Sequence, residues 1–232
     1  MADVVNRMIG LYRGKARAKR AAVFLKHFEI TADTRILDLG SEDGSNIDRV
    51  LRGTGAQPDN VHIADISSEA IRRGQQKFGY TPVLLNEDGT VPFPDRFFDV
   101  VYCSSVIEHV TIPKEDVWSV RSSDVFLTRA LTRQREFARE IMRVGRSWFV
   151  QTPYKWFPIE SHTWLPFVGW LPRPCVVSVI RLSNRIWIKQ TSPDFNLLDI
   201  SQFGSLFPDS KLIRERSMGM TKSLMVIGPQ GS

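Results

Sequence analysis

The chain has 232 residues, enough for one large domain whose core needs no covalent staples. Cys103 and Cys175 are its only cysteines, which argues against a disulfide scaffold and a zinc cluster, and no metal ligand set is expected. The net charge of +6 favours phosphate-bearing partners, nucleic acid or an anionic membrane, or simply marks a basic soluble enzyme.

In chain order, residues 3–28 come first. They carry Arg7, Arg13, Lys15, Arg17, Lys19, Arg20 and Lys26 against one acid, Asp3. Apolar positions recur at three- and four-residue steps, so the segment reads as one amphipathic basic helix or two broken at Gly14. It has no continuous apolar h-region, and no apolar run in the chain nears about 18 residues. A cytoplasmic protein without a membrane span is therefore expected. Thr34 to Leu39 is a buried strand carrying Asp38 near its end. Gly40-Ser-Glu-Asp-Gly44 is a tight turn, and Asn46–Arg52 has helical spacing. Glycines let backbone approach a ligand, and a helix start offers free N–H groups. Val61–Asp65 and Pro82–Asp88 are further strands ending in acids, and Val91–Cys103 leads into a fourth. A helix begins after the Ser67 cap. Asp124–Val144 is a long helix with Gly145 as C-cap, and Ser147–Thr152 a fifth strand.

Beyond 153 the composition changes. Five of the six tryptophans lie in 148–187, and prolines break the run. Residues 153–173 read as an ordered loop or short helices above the strand ends. Val176–Lys189 reads as a helix with Arg181, Arg185 and Lys189 on one spacing. A linker and short helix follow, and Lys211–Glu215 and Ser223–Ile227 form a closing antiparallel pair.

Over residues 34–152 the chain resembles the class I S-adenosylmethionine-dependent methyltransferases. The resemblance rests on Asp38 and its glycine turn, Asp65, the Val91-Pro-Phe-Pro-Asp-Arg-Phe-Phe-Asp-Val-Val stretch and Ser104-Ser-Val-Ile-Glu-His-Val110. It implies an α/β fold, a doubly wound seven-stranded Rossmann-like sheet, mostly parallel with an antiparallel C-terminal strand. One domain is expected: a basic N-terminal lid (1–30), a cofactor core (31–152), an aromatic and basic cap (153–205) and closing strands (206–232).

The resemblance also assigns roles around S-adenosylmethionine. Asp38, Gly40, Ser41 and Gly44 face its methionyl end, with Ser104 nearby. Asp65 accepts from the ribose hydroxyls, Ile66 packs on adenine, and Glu87 or Asp88 meets the adenine amino group. Glu42 departs from the pattern, standing where the family has its middle glycine. On the acceptor side, Tyr154, Glu160, His162 and Trp164 are expected at the substrate. His109 and His162 are candidate bases, since imidazole titrates near neutrality; for His109 a packing or capping role competes. The expected reaction is methyl transfer to a small organic, glycan or lipid-like acceptor, first at oxygen, with peripheral contact to an anionic membrane as a further partner. Two rivals stand beside it. A nicotinamide-dependent oxidoreductase would want Gly-x-Gly-x-x-Gly, which Gly40–Gly44 does not supply. A methyltransferase-like binder that has lost catalysis draws on Glu42 and the basic, tryptophan-rich segments. Nucleic acid ranks lower, because few aromatics interleave the N-terminal charges.

Overall fold

The computed structural model describes residues 2–86, 89–187 and 189–229. The elements are α1 (Ala2–His27), β1 (Ile36–Leu39), α2 (Ser45–Leu51), β2 (Val61–Asp65), α3 (Ser68–Phe78), β3 (Thr81–Leu84), β4 (Phe98–Ser104), α4 (Ser123–Val144), β5 (Gly145–Pro153), α5 (Arg173–Ile186), α6 (Ile200–Leu206), β6 (Lys211–Ser217) and β7 (Met220–Ile227). They form one seven-stranded sheet in the order β3-β2-β1-β4-β5-β7-β6. The first five strands are parallel, β7 runs antiparallel to β5, and β6 runs antiparallel to β7. The expected fold is the observed one. Strand order reverses between β1 and β4, and the crevice outside their carboxyl ends is where such sheets hold ligands.

Alternation along each strand divides the core. Ile36, Tyr102 and Phe149 pack under Phe24, Ile47 and Ile71, from α1, α2 and α3. Leu37, Val101 and Val150 pack on the other face against Phe137 and Ile141 of α4 and Phe203 of α6. Thus α1 is a single helix that runs through Gly14, and one face of its second half is core. A glycine inside a helix costs only about 1 kcal/mol, less than burying two aromatics returns. Phe24 lies edge-on to both Tyr102 and Phe149, at 5.3 and 5.7 Å between ring centroids. A lid could only be formed by the part of α1 before this anchor.

Gly145 is the C-cap of α4, as expected, and its N–H donates to the Ile141 carbonyl. Its backbone is extended and starts β5 directly. A Cβ there would lie 2.8 Å from Val101 Cγ2 and 2.9 Å from the Ser147 carbonyl oxygen, so close approach explains the glycine.

The segment after β5 has a small core of its own. Val168, Val176, Ile180, Phe195 and Leu197 pack together with Trp118. Arg173 ties it to α4 and the loop before it: its guanidinium donates to the carbonyls of Val117, Val120 and Pro193 and lies over the Phe126 ring. Burial draws this guanidinium's pKa down to about 10, against the charge of Asp194. α5 stops at Ile186, earlier than its spacing predicts. Lys189 therefore leaves the Arg181–Arg185 row and donates to the Ser161 carbonyl at 2.7 Å. Among the described residues no helix is long and apolar enough to cross a membrane.

Candidate active site

The glycine turn lies at the end of β1, at the sheet's reversal. Gly40 N–H donates to the Ala64 carbonyl at 2.8 Å, which fastens the turn to β2. Gly40 has φ +76°, and a Cβ on it would stand 2.5 Å from Val106, in the loop after β4. Gly44 is also left-handed. Glu42 takes φ +52° as well. The turn thus keeps its glycine-type path although a glutamate occupies its middle, and the Glu42 side chain is exposed to solvent. That conformation costs a non-glycine residue about 1–2 kcal/mol.

Several of the residues assigned to S-adenosylmethionine present groups of the kind it needs. Asp38 is buried and its Oδ2 has no hydrogen-bond partner, a vacant acceptor for an ammonium. Burial, helped by the charge of Asp65, raises its pKa well above the usual carboxylate range, so a nearby cation would be strongly favoured. Asp65 accepts the Glu42 N–H at 2.9 Å on Oδ2 and the Ser67 N–H at 3.0 Å on Oδ1. A carboxylate has about four acceptor positions, so each oxygen keeps one, matching a diol. Ile66 beside it is 59 % exposed, an apolar surface waiting for a flat partner. Ser41 is buried in the turn, while Ser104 closes β4 and donates to Gln151 Oε1 at 2.8 Å. Glu87 and Asp88 lie outside the described residues.

Glu42→Gly tests the turn directly. Relief of the left-handed strain is offset in part by a more flexible unfolded chain. The variant should match or exceed the parent's melting temperature and keep or improve its affinity for S-adenosylhomocysteine by calorimetry. A tenfold or larger loss would show that the Glu42 carboxylate itself holds the ligand.

Among the residues expected at the acceptor, the structure joins some that lie far apart in sequence. His109 lies in a 3-10 turn (Ile107–His109) just after β4. His162 follows β5, and the two rings meet edge to face at 4.6 Å between centroids. Each imidazole is held through Nδ1 by a carboxylate: His109 faces Asp194 Oδ1 at 3.3 Å, and His162 faces Glu160 Oε1 at 2.6 Å. Phe195 stacks on the His162 ring. Glu160 also accepts the backbone N–H groups of His162 and Thr163. Burial would raise this carboxyl, but these bonds and the His162 charge outweigh it and bring its pKa down to about 2. For His109, burial pulls the imidazole down, while the Asp194 hydrogen bond and the charges of Glu108, Asp194 and Glu160 more than reverse it.

Glu108 completes the cluster. It is fully buried, its Oε2 accepts from Thr152 Oγ at 3.0 Å, and its Oε1 has no hydrogen-bond partner. That oxygen stands 3.8 Å from His162 Nε2, too far for a hydrogen bond.

Of the expected acceptor residues, Glu160 and His162 are brought together with His109. Tyr154 instead packs against the main core, and Trp164 lies under the Lys189 ammonium at 4.8 Å. The sequence reading missed Glu108, Asp194, Thr152 and Gln151. Glu108 sits in the quoted Ser104–Val110 stretch beside His109, the one available signal. Asp194 has none, because only the tertiary path brings it there. Asn196 N–H donates to the Glu108 carbonyl at 2.8 Å, and Thr111 Oγ donates to the Asp194 carbonyl at 2.7 Å.

With this geometry in hand, comparison with known proteins is informative. The model of the methyltransferase domain family matches residues 37–147. No curated protein matches the chain in sequence. Among solved structures, the PH0226 protein from Pyrococcus horikoshii OT3 is 16% identical, with a TM-score of 0.55 over 93% of this chain and 91% of that one. The CurJ carbon methyltransferase is 16% identical, with a TM-score of 0.53 over 94% of this chain and 56% of that one. The small RNA methyltransferase HEN1 is 16% identical, with a TM-score of 0.51 over 90% of this chain and 24% of that one. At these identities the likeness is one of fold.

Proposed function

We propose that this chain, which belongs to the class I S-adenosylmethionine-dependent methyltransferases, methylates a hydroxyl of a small organic, glycan or lipid-like acceptor. S-adenosylmethionine supplies a methyl group on a sulfonium, which departs as a neutral thioether once an oxygen takes the methyl. The chain's own part is to hold the acceptor in line, exclude water and deal with the hydroxyl proton. Asp38, the Gly40–Gly44 turn, Asp65 and Ile66 hold the cofactor, with Ser104 at the strand end beside them.

The observation that carries the oxygen assignment is the pair of histidines, each oriented through Nδ1 by a buried or half-buried carboxylate. This leaves Nε2 of each ring to serve an acceptor, and imidazole can take a hydroxyl proton near neutral pH.

A second reading, contact with an anionic membrane surface, draws on the face above the site. Trp156, Ile159, Phe167 and Trp170 are all exposed there, with Phe167 and Trp170 at 4.7 Å and Lys155 over Trp156 at 5.2 Å. Apolar side chains rimmed by basic ones suit a lipid headgroup boundary.

An acceptor panel tests both. Purified protein is given S-adenosylmethionine with phenols, glycans and lipid-like hydroxyls, the last both free and in anionic vesicles at low salt. Release of S-adenosylhomocysteine with a new methyl ether is expected. Methylation confined to amines or carbon acids overturns the oxygen assignment. Equal rates with free and vesicle-borne acceptor, without flotation, remove the membrane reading.

A further inference from the structure

We infer that Glu108, His109 and His162 form a binding site for a divalent first-row metal ion. One ligand atom from each, all on the acceptor side, lies within 4.8 Å of the others. Nitrogen and carboxylate ligands bind such ions at about 2.0–2.2 Å, so ligand atoms on one ion stand about 3–4 Å apart. The Glu108 Oε1–His162 Nε2 pair, at 3.8 Å, already has that spacing. His109 needs to close by only about 1 Å to join it.

Three further observations point to a cation rather than to three side chains that happen to meet. First, Glu108 is 0 % exposed and its Oε1 has no hydrogen-bond partner. A buried carboxylate oxygen left this way is costly, and a cation removes the cost. Second, both histidines have Nδ1 turned to a carboxylate, Asp194 and Glu160. Metal-bound histidines are held in this manner, which directs the Nε2 lone pair at the ion and raises its basicity. Third, the other oxygen of Glu108 is fixed by Thr152 Oγ, so the ligand carboxylate is itself oriented. The surroundings of a metal centre are thus in place around all three ligands. Two imidazoles and one carboxylate suit zinc, manganese, iron(II) or cobalt, and three protein ligands leave coordination positions open.

Glu108 is two residues along the chain from Val106, whose side chain lies against Gly40 of the glycine turn. The cation's role in turnover rests on the proposed hydroxyl acceptor. A hydroxyl oxygen on the cation would lose its proton to solvent water, and the resulting alkoxide or phenoxide would take the methyl. The histidines would then act on the hydroxyl through the ion. The binding itself rests on geometry alone.

Cobalt(II) is the probe. Full-length protein treated with EDTA and dialysed is titrated with Co2+, followed by calorimetry and visible d–d absorption. One Co2+ per chain is expected. Glu108→Gln and His162→Asn should each weaken binding at least a hundredfold. Asp194→Asn, which removes the carboxylate that orients His109 and raises its basicity, should weaken it about 10- to 100-fold. S-adenosylhomocysteine affinity, measured on every variant, should stay at the parent value and so report an intact fold. Parent protein that binds S-adenosylhomocysteine but takes up no Co2+ overturns the site, as does Co2+ binding unchanged in both ligand variants. Hydroxyl methylation undiminished by EDTA overturns the cation's part in turnover and leaves the histidines as direct bases. Stoichiometric Co2+ binding without any hydroxyl methylation supports the site and removes the proposed acceptor.

Discussion

Asp65→Ala weakens S-adenosylhomocysteine binding by about 2–4 kcal/mol, roughly 30- to 1000-fold, in a chain that still folds. Two charge-assisted hydrogen bonds to a ribose diol account for the loss. The fold survives because the groups that Asp65 holds in this structure, the N–H of Glu42 and of Ser67, belong to exposed residues that water can serve. Asp65→Asn should fall between, since an amide retains one acceptor oxygen but no charge. Calorimetry with circular dichroism on both variants checks this. Parent affinity in a folded Asp65→Ala protein would remove Asp65 from the cofactor site. Asp38, the glycine turn and Ile66 would then have to account for the affinity.

His162→Asn has the larger effect on turnover. It should lower the rate about 10²–10⁴-fold while leaving S-adenosylhomocysteine affinity within about twofold. Asparagine is chosen because its side-chain nitrogen can stand where Nδ1 stands and continue to donate to Glu160. What it lacks is Nε2, the atom 3.8 Å from Glu108. His162→Ala should lose turnover to the same extent but also melt earlier. It leaves Glu160, a carboxylate whose side chain is 1 % exposed, with the backbone N–H groups of His162 and Thr163 and a long 3.4 Å bond from Ser161 Oγ. The difference between the two variants separates chemistry from packing. Equal melting temperatures with ordinary kinetics would mean that His162 only fills space against Phe195. Because the asparagine variant lacks Nε2, the loss is expected whether the imidazole takes the proton or holds a cation.

Much of this protein is legible from sequence because its core follows local rules. Val61–Asp65 alternates and ends in an acid, and β2 has those bounds. Ser67 predicts a helix start, and its hydroxyl accepts the Ala70 N–H. The Asp38–Gly44 turn and Asp65 could be named as a cofactor cradle since a strand, a turn and a helix within a dozen residues fix one another's geometry. Even Glu42 was legible as a departure. That the backbone would still take a left-handed path there was not, because the path is set by the Ala64 carbonyl and Val106, neighbours in space only.

What the sequence by itself determined, then, is the succession of strands and helices, the glycine turn and the acid ending β2, all properties of short stretches with a period of 2.0 or 3.6 residues. Tertiary structure alone decided the rest. It put one face of a strongly basic helix into the core, because Phe24, with Phe28 just after the helix, is buried there while the charged face stays in solvent. It ended α5 before Lys189, which the Ser161 carbonyl holds off the helix. It also assembled the cluster of histidines and carboxylates from three separate segments. His109 meets Asp194 only because the 194–196 strip is hydrogen-bonded along the 107–111 turn, with Gln134 of α4 bridging Ile107 and Asn196. No periodicity encodes such a meeting, since the side chains concerned belong to different elements and are placed by how those elements pack.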